Sequence, residues 1–93
     1  MIKSFLDESL KKCWQIGQCG KIRPDLRQRV LMKLESMDAA TCLMDLKNPP
    51  GNCLHRLKGK YKGCWAISVN GPWRLIFRYE GGHIFDILLE QYH

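Results

Sequence analysis

The sequence predicts an α+β fold in which N-terminal helices pack on an antiparallel β-sheet. Three observations predict it. Apolar residues recur at helical spacings in the first half and alternate in the second. The chain has 93 residues and shows no internal repeat or linker. A chain of this size buries roughly 60–65% of its unfolded surface, so residues 1–93 make one domain.

Residues 2–5 (IKSF) read as a short strand. Ser4 and Asp7 have the spacing of a capping box, and Leu6, Leu10, Cys13 and Trp14 share one helical face. Gly17 and Gly20 end that helix. Pro24 suits a first helical turn, with Asp25 beside the positive end of the dipole. Leu26, Val30, Leu34 and Met37 then recur at spacings of four, four and three, so residues 24–37 form an amphipathic helix. Asp38 is placed to cap a short third helix through about Asp45, which Asn48-Pro49-Pro50-Gly51 stops.

Beyond that point the period becomes two. A short strand around Cys53 to Leu57 precedes one in which Trp65, Ile67 and Val69 alternate with Ala66 and Ser68. Asn70-Gly71-Pro72 turns the chain. Trp73, Leu75, Phe77 and Tyr79 follow, alternating with Arg74, Ile76 and Arg78, so the two arginines face away from the aromatics. Glu80-Gly81-Gly82 turns it again, and His83 to about Gln91 is the last strand. With helices on one side of this meander, the other side is left to bind something.

Charge placement suggests what binds. Seven of the fifteen Lys and Arg residues, and no acid, lie between Asp45 and Glu80: Lys47, Arg56, Lys58, Lys60, Lys62, Arg74 and Arg78. The net charge is +6 overall, so nearly all the excess sits in one third of the chain, the footprint of a polyanion binder. A solvated surface on a basic protein is the plainer reading of the same block. The five cysteines are odd in number and contain no CxxC pair, which argues against zinc and for reduced thiols acting as small hydrophobes. No metal or other cofactor is expected. The opening MIKSFLDE has acids where a signal peptide needs apolar residues. No apolar run approaches the ~20 residues of a membrane span, so a cytoplasmic protein without membrane contact is expected.

His55, His83 and His93 are the histidines, and the chain ends on Glu90-Gln91-Tyr92-His93. His83 follows a Gly-Gly turn and reads as solvated. His55 lies inside the basic block, in Leu54-His55-Arg56-Leu57-Lys58-Gly59. Taken singly, His55 and His93 are unspecific. Together with tyrosine, lysine and arginine they supply the parts for cutting RNA with its own 2′-hydroxyl. One base takes the 2′-proton, one acid protonates the leaving 5′-oxygen, and cations hold the charge on the phosphate.

The run NPPGNCLHRLKGKYKGCWAISVNGPWRLIFRY, followed by a last strand ending in Tyr92-His93, resembles HigB-type toxins of the RelE superfamily. The opening MIKSF and the phrase DAATCLMDL fit the same family, so the resemblance covers essentially the whole chain. It implies a RelE-like domain acting as the toxin of a type II toxin–antitoxin pair. Such a toxin is a ribosome-dependent, metal-independent endoribonuclease that cuts messenger RNA during translation. It implies His55, Lys58, Arg74, Tyr92 and His93 as the catalytic set, with either histidine as acid or base. Lys58 and Arg74 would stabilise phosphorane-like charge, and Tyr92 would orient or stack on a base. Arg56, Lys60, Lys62, Arg78 and Gln91 are then the expected RNA contacts.

The family's ending is commonly Asp-Tyr-His, and Gln91 replaces the acid here. An amide still accepts a hydrogen bond but transfers no proton, so lowered activity or a shifted pH optimum is expected. By strand parity Glu90 points to the face opposite Gln91. The partners implied are a cognate, HigA-like helix-turn-helix antitoxin, the ribosome and mRNA, with operator DNA reached only through the antitoxin complex. Three rivals use the same features: a non-catalytic RNA- or ribosome-binding inhibitor, a toxin of the same fold aimed at gyrase, and, last, a DNA-binding regulator.

Overall fold

Asp7 starts the first helix. In the computed structural model, which describes residues 1–91, its carboxylate accepts hydrogen bonds from the backbone N–H of Ser9 (3.0 Å) and Leu10 (3.2 Å). It thereby caps α1, Glu8–Ile16. The expected cap at Ser4 is corrected: its hydroxyl is engaged with Asp86 on the last strand. Gly17 closes α1 in the left-handed conformation at φ 74°, where a side chain would be strained. This reversal carries Cys19 back to Cys13, and the two form a disulfide with 4.3 Å between Cα atoms. The expectation of five free thiols is corrected at that pair.

The second helix, α2, spans Arg27–Ala39 and not 24–37. Pro24 to Leu26 form a turn in which Asp25 pairs with Arg23, and Arg27 reaches back to the carbonyls of Ile22 and Gly20. Asp38 belongs to the end of α2 and accepts from Ile2 N–H at 2.9 Å, instead of capping a third helix. A 3₁₀ turn, Leu43–Lys47, is organised by Asp45. Its carboxylate takes the backbone and hydroxyl of Thr41 and the backbone of Cys42, which hold it below the usual carboxylate pKa.

Four antiparallel strands follow in the order β1-β2-β3-β4: His55–Arg56, Trp65–Asn70, Trp73–Glu80 and His83–Gln91. The Asn70-Gly71-Pro72 turn falls where the sequence puts it, with Gly71 at φ 55°. The predicted strand at residues 2–5 becomes two parallel bridges to the outer edge of β4, Ile2 with Ile84 and Phe5 with Ile87. Asp86 explains the gap between them. It sits in a β-bulge at φ 55°, and its N–H goes to the Ser4 hydroxyl (2.9 Å) instead of a backbone carbonyl.

The register gives the two faces of the sheet different neighbours. Ile67, Val69, Leu75, Phe77, Ile84 and Ile87 meet Leu10 and Cys13 of α1 and Val30, Leu34 and Met37 of α2 in one buried cluster. His55, Ala66, Ile76 and Leu88 lie in register across the other face, as do Ser68, Arg74 and Glu90. No helix among the described residues is long and apolar enough to cross a membrane.

Candidate functional site

The face without helices has an apolar floor and polar margins. Ala66 and Ile76 are fully buried yet stand outside the helix-packed cluster, so side chains lying on this face cover them. Tyr61, from the loop between β1 and β2, reaches this face. Its hydroxyl crosses to β4 and donates to Glu90 Oε1 at 2.8 Å. The hydrogen bond, then burial, then the carboxylate's charge push this phenol above its usual pKa, against a smaller opposing effect of Lys60. It therefore remains a donor throughout the neutral range.

At the turn end of the same face a cleft of about 400 Å³ is lined by His55, Ser68, Gly71, Pro72, Trp73 and Arg74. A second cleft, at α1 and the turn after it, is lined by Glu8, Ser9, Lys12, Gln18, Gly20 and Lys21. It has no imidazole, so the first is the better place for acid–base chemistry.

His55 is exposed and its ring is oriented from behind. Nδ1 lies 2.7 Å from the carbonyl oxygen of Cys53. A carbonyl only accepts, so Nδ1 carries the proton and Nε2 is the nitrogen left for a substrate. The support for this contact is local. Cys53 adopts a left-handed conformation (φ 49°) at the end of the 3₁₀ turn Pro50–Asn52. Asn52 beneath it is fully buried, donating to Leu46 and Asn48 carbonyls at 3.1 and 3.2 Å and accepting from Lys33. Sequence reading gave Asn52 no role.

The remaining candidates divide. Arg74 lines the cleft with His55. Lys58, Lys60 and Lys62 are exposed in the β1–β2 loop, with the Lys60 amine 5.2 Å from the centre of the Tyr61 ring. Arg78 shares the face but is held by Asp86 (2.8 Å) and Glu80 (3.1 Å), which raise its pKa further, Asp86 more than Glu80. Arg56 is not brought to the cleft. It is in register with Trp65 on the helix-bearing side, its guanidinium 5.6 Å from that ring. Gln91 is exposed and in register with Trp73, whereas Glu90 is in register with Arg74, so the two occupy opposite faces as parity requires. Tyr92 and His93 lie outside the described residues.

Two features of the site had no signal in the sequence. The Tyr61–Glu90 bond joins residues 29 apart, and Arg23, from the turn before α2, places its guanidinium 5.8 Å from the ring of cleft-lining Trp73.

The chain and its fold have known relatives. A family model described as the RelE-like toxin HigB of type II toxin–antitoxin systems matches residues 3–93. A protein named endoribonuclease HigB, from Proteus vulgaris, is 33% identical over 93 residues, covering 100% of both chains. Toxin HigB-1 of Vibrio cholerae is 34% identical over 91 residues, or 97% of this chain and 96% of that one. Among solved structures, a chain of the heterotetrameric YoeB–YefM toxin–antitoxin complex of Staphylococcus aureus superposes with a TM-score of 0.61. The match covers 100% of this chain and 98% of that one at 16% identity, a likeness of fold.

Proposed function

Because the chain belongs to the HigB family of RelE-like toxins of type II toxin–antitoxin systems, we propose that it is a ribosome-dependent endoribonuclease cutting translated mRNA without a metal. The observation that carries this reading is the meeting of His55 and Arg74 in one cleft on the helix-free face. The name of the Proteus relative supports RNA cleavage.

In this mechanism Nε2 of His55 takes the proton from a 2′-hydroxyl, whose oxygen attacks the adjacent phosphorus. Arg74 and Lys58 stabilise the added negative charge, Arg74 with the planar fork suited to phosphate oxygens. The bond to the 5′-oxygen breaks, and that oxygen is protonated by the second histidine, His93. The products are a 2′,3′-cyclic phosphate and a 5′-hydroxyl. Tyr92 stacks on or orients a base, and Lys60 and Lys62 contact the backbone. The need for a 2′-hydroxyl makes DNA inert. The protein acts in the cytoplasm and is neutralised by a HigA-like antitoxin. The YoeB–YefM complex supports an antitoxin partner in general.

The test is primer-extension mapping of a defined message in a purified translation system. Its arms are wild type, His93→Ala, wild type without ribosomes, and a message with a 2′-O-methyl group at the cut position. Cuts by the wild type alone, on ribosomes and on the unmethylated message, are the expected result. An intact message with translation still blocked would make the protein a non-catalytic binder. No effect on translation would point to another target.

A further inference from the structure

The loop that carries Lys58, Lys60 and Lys62 is weakly attached. It hangs from β1, a strand of two residues, and its own hydrogen bonds are local turns, Lys62 N–H to Gly59 and Cys64 N–H to Tyr61. Leu57 N–H to the Cys64 carbonyl closes its base. Among the described residues, its one hydrogen bond to the sheet is Tyr61 to Glu90. Glu90 is also out of keeping with its surroundings. A carboxylate on the face expected to hold RNA phosphates repels them, so its presence there calls for a reason. Taking the hydroxyl of Tyr61 supplies one.

We infer that Tyr61 and Glu90 are positioning residues which latch the lysine loop onto the open face and so hold Lys58 at the cleft. This rests on the endoribonuclease reading above. The latch spans two strands: it starts in the β1–β2 loop and ends on β4, where Glu90 shares a face with Arg74. A neutral acceptor at position 90 keeps the latch and removes the repulsion, so charge and tether are separable.

The experiment measures single-turnover cleavage on message-loaded ribosomes for wild type, Tyr61→Phe, Glu90→Ala and Glu90→Gln, and for Lys58→Ala alone and combined with Tyr61→Phe. Amide hydrogen exchange of residues 58–62 is followed in the free proteins. Tyr61→Phe keeps the ring and removes only the hydroxyl, so the fold persists. The expected result is a loss of about tenfold in rate for Tyr61→Phe and Glu90→Ala, the size of one hydrogen bond to a charged group. Both should exchange faster at the loop. Glu90→Gln should cut near the wild-type rate and bind message more tightly. Tyr61→Phe should add little once Lys58 is gone, because a residue acting through another is non-additive with it.

Wild-type rate and wild-type exchange in Tyr61→Phe would overturn the latch, and so would full additivity with Lys58→Ala. A Glu90→Gln protein as slow as Glu90→Ala, beside an active Tyr61→Phe, would make Glu90 a reacting group instead. Failure of the wild type to cut would remove the nuclease reading and the role of Lys58 with it, and the exchange data would then show separately whether the tether exists.

Discussion

The two faces of one sheet are put to different uses. On the helix-bearing face Phe77 and Leu75 are fully buried beneath α1 and α2, and shape and area do the work. On the other, equally buried Ala66 and Ile76 form a floor whose margins are His55, Tyr61, Arg74 and Glu90. The first face tolerates little change in volume. The polar margin of the second is held by single hydrogen bonds, and under the proposed function its side chains serve chemistry more than folding.

That contrast can be broken in graded steps. The largest effect on stability belongs to Phe77→Ala, which should cost about 3–5 kcal/mol in urea unfolding, as for other buried aromatics. An Arg74→Ala protein, three residues away on the other face, should unfold with nearly wild-type stability. Asn52→Ala comes next. It leaves the Leu46 carbonyl a buried orphan, at about 1–3 kcal/mol, and removes the part-buried hydrogen bonds to the Asn48 carbonyl and from Lys33 at a smaller cost. Because it also loosens the turn behind Cys53, it should slow cleavage, which sharpens the contrast by linking a buried polar group to His55.

Smaller effects belong to the ends of the helical elements. Asp7→Ala should cost about 1 kcal/mol through loss of the α1 cap, and Ser4→Ala should leave that cap untouched. For Asp45 the sign follows from its lowered pKa. The unfolded carboxyl binds protons at higher pH than the native one, so its stabilisation is present above the ordinary value of about 3.9 and disappears as pH falls through the native value. Thermal melts should therefore show Asp45→Asn below wild type at neutral pH, with the gap closing in acid.

The sequence shows the strong regularities and misses the long-range ones. Alternation from Trp73 to Arg78 identifies β3 and sends its arginines to the open face, because period two in a six-residue run has no second interpretation. Parity also separates Glu90 from Gln91. Arg56 is different: β1 is too short to establish a period, so a cation beside His55 looks like part of the same site although it faces Trp65. The capping-box spacing puts the cap at Ser4, whereas Asp7 is the cap because the Ser4 hydroxyl is taken by Asp86, 82 residues beyond it. Tyr61–Glu90, Arg23–Trp73 and Cys13–Cys19 likewise depend on how the chain returns on itself, which no local spacing records.

The two-face account is tested most directly by two neighbouring residues. Cleavage of a ribosome-bound message should be measured for His55→Ala and Arg56→Ala, with thermal melts to confirm folding. The account predicts a loss of at least about 10²-fold for His55→Ala, the contribution of a general acid or base, and a change of no more than a few-fold for Arg56→Ala. Equal losses in both, or full activity in His55→Ala, would contradict it.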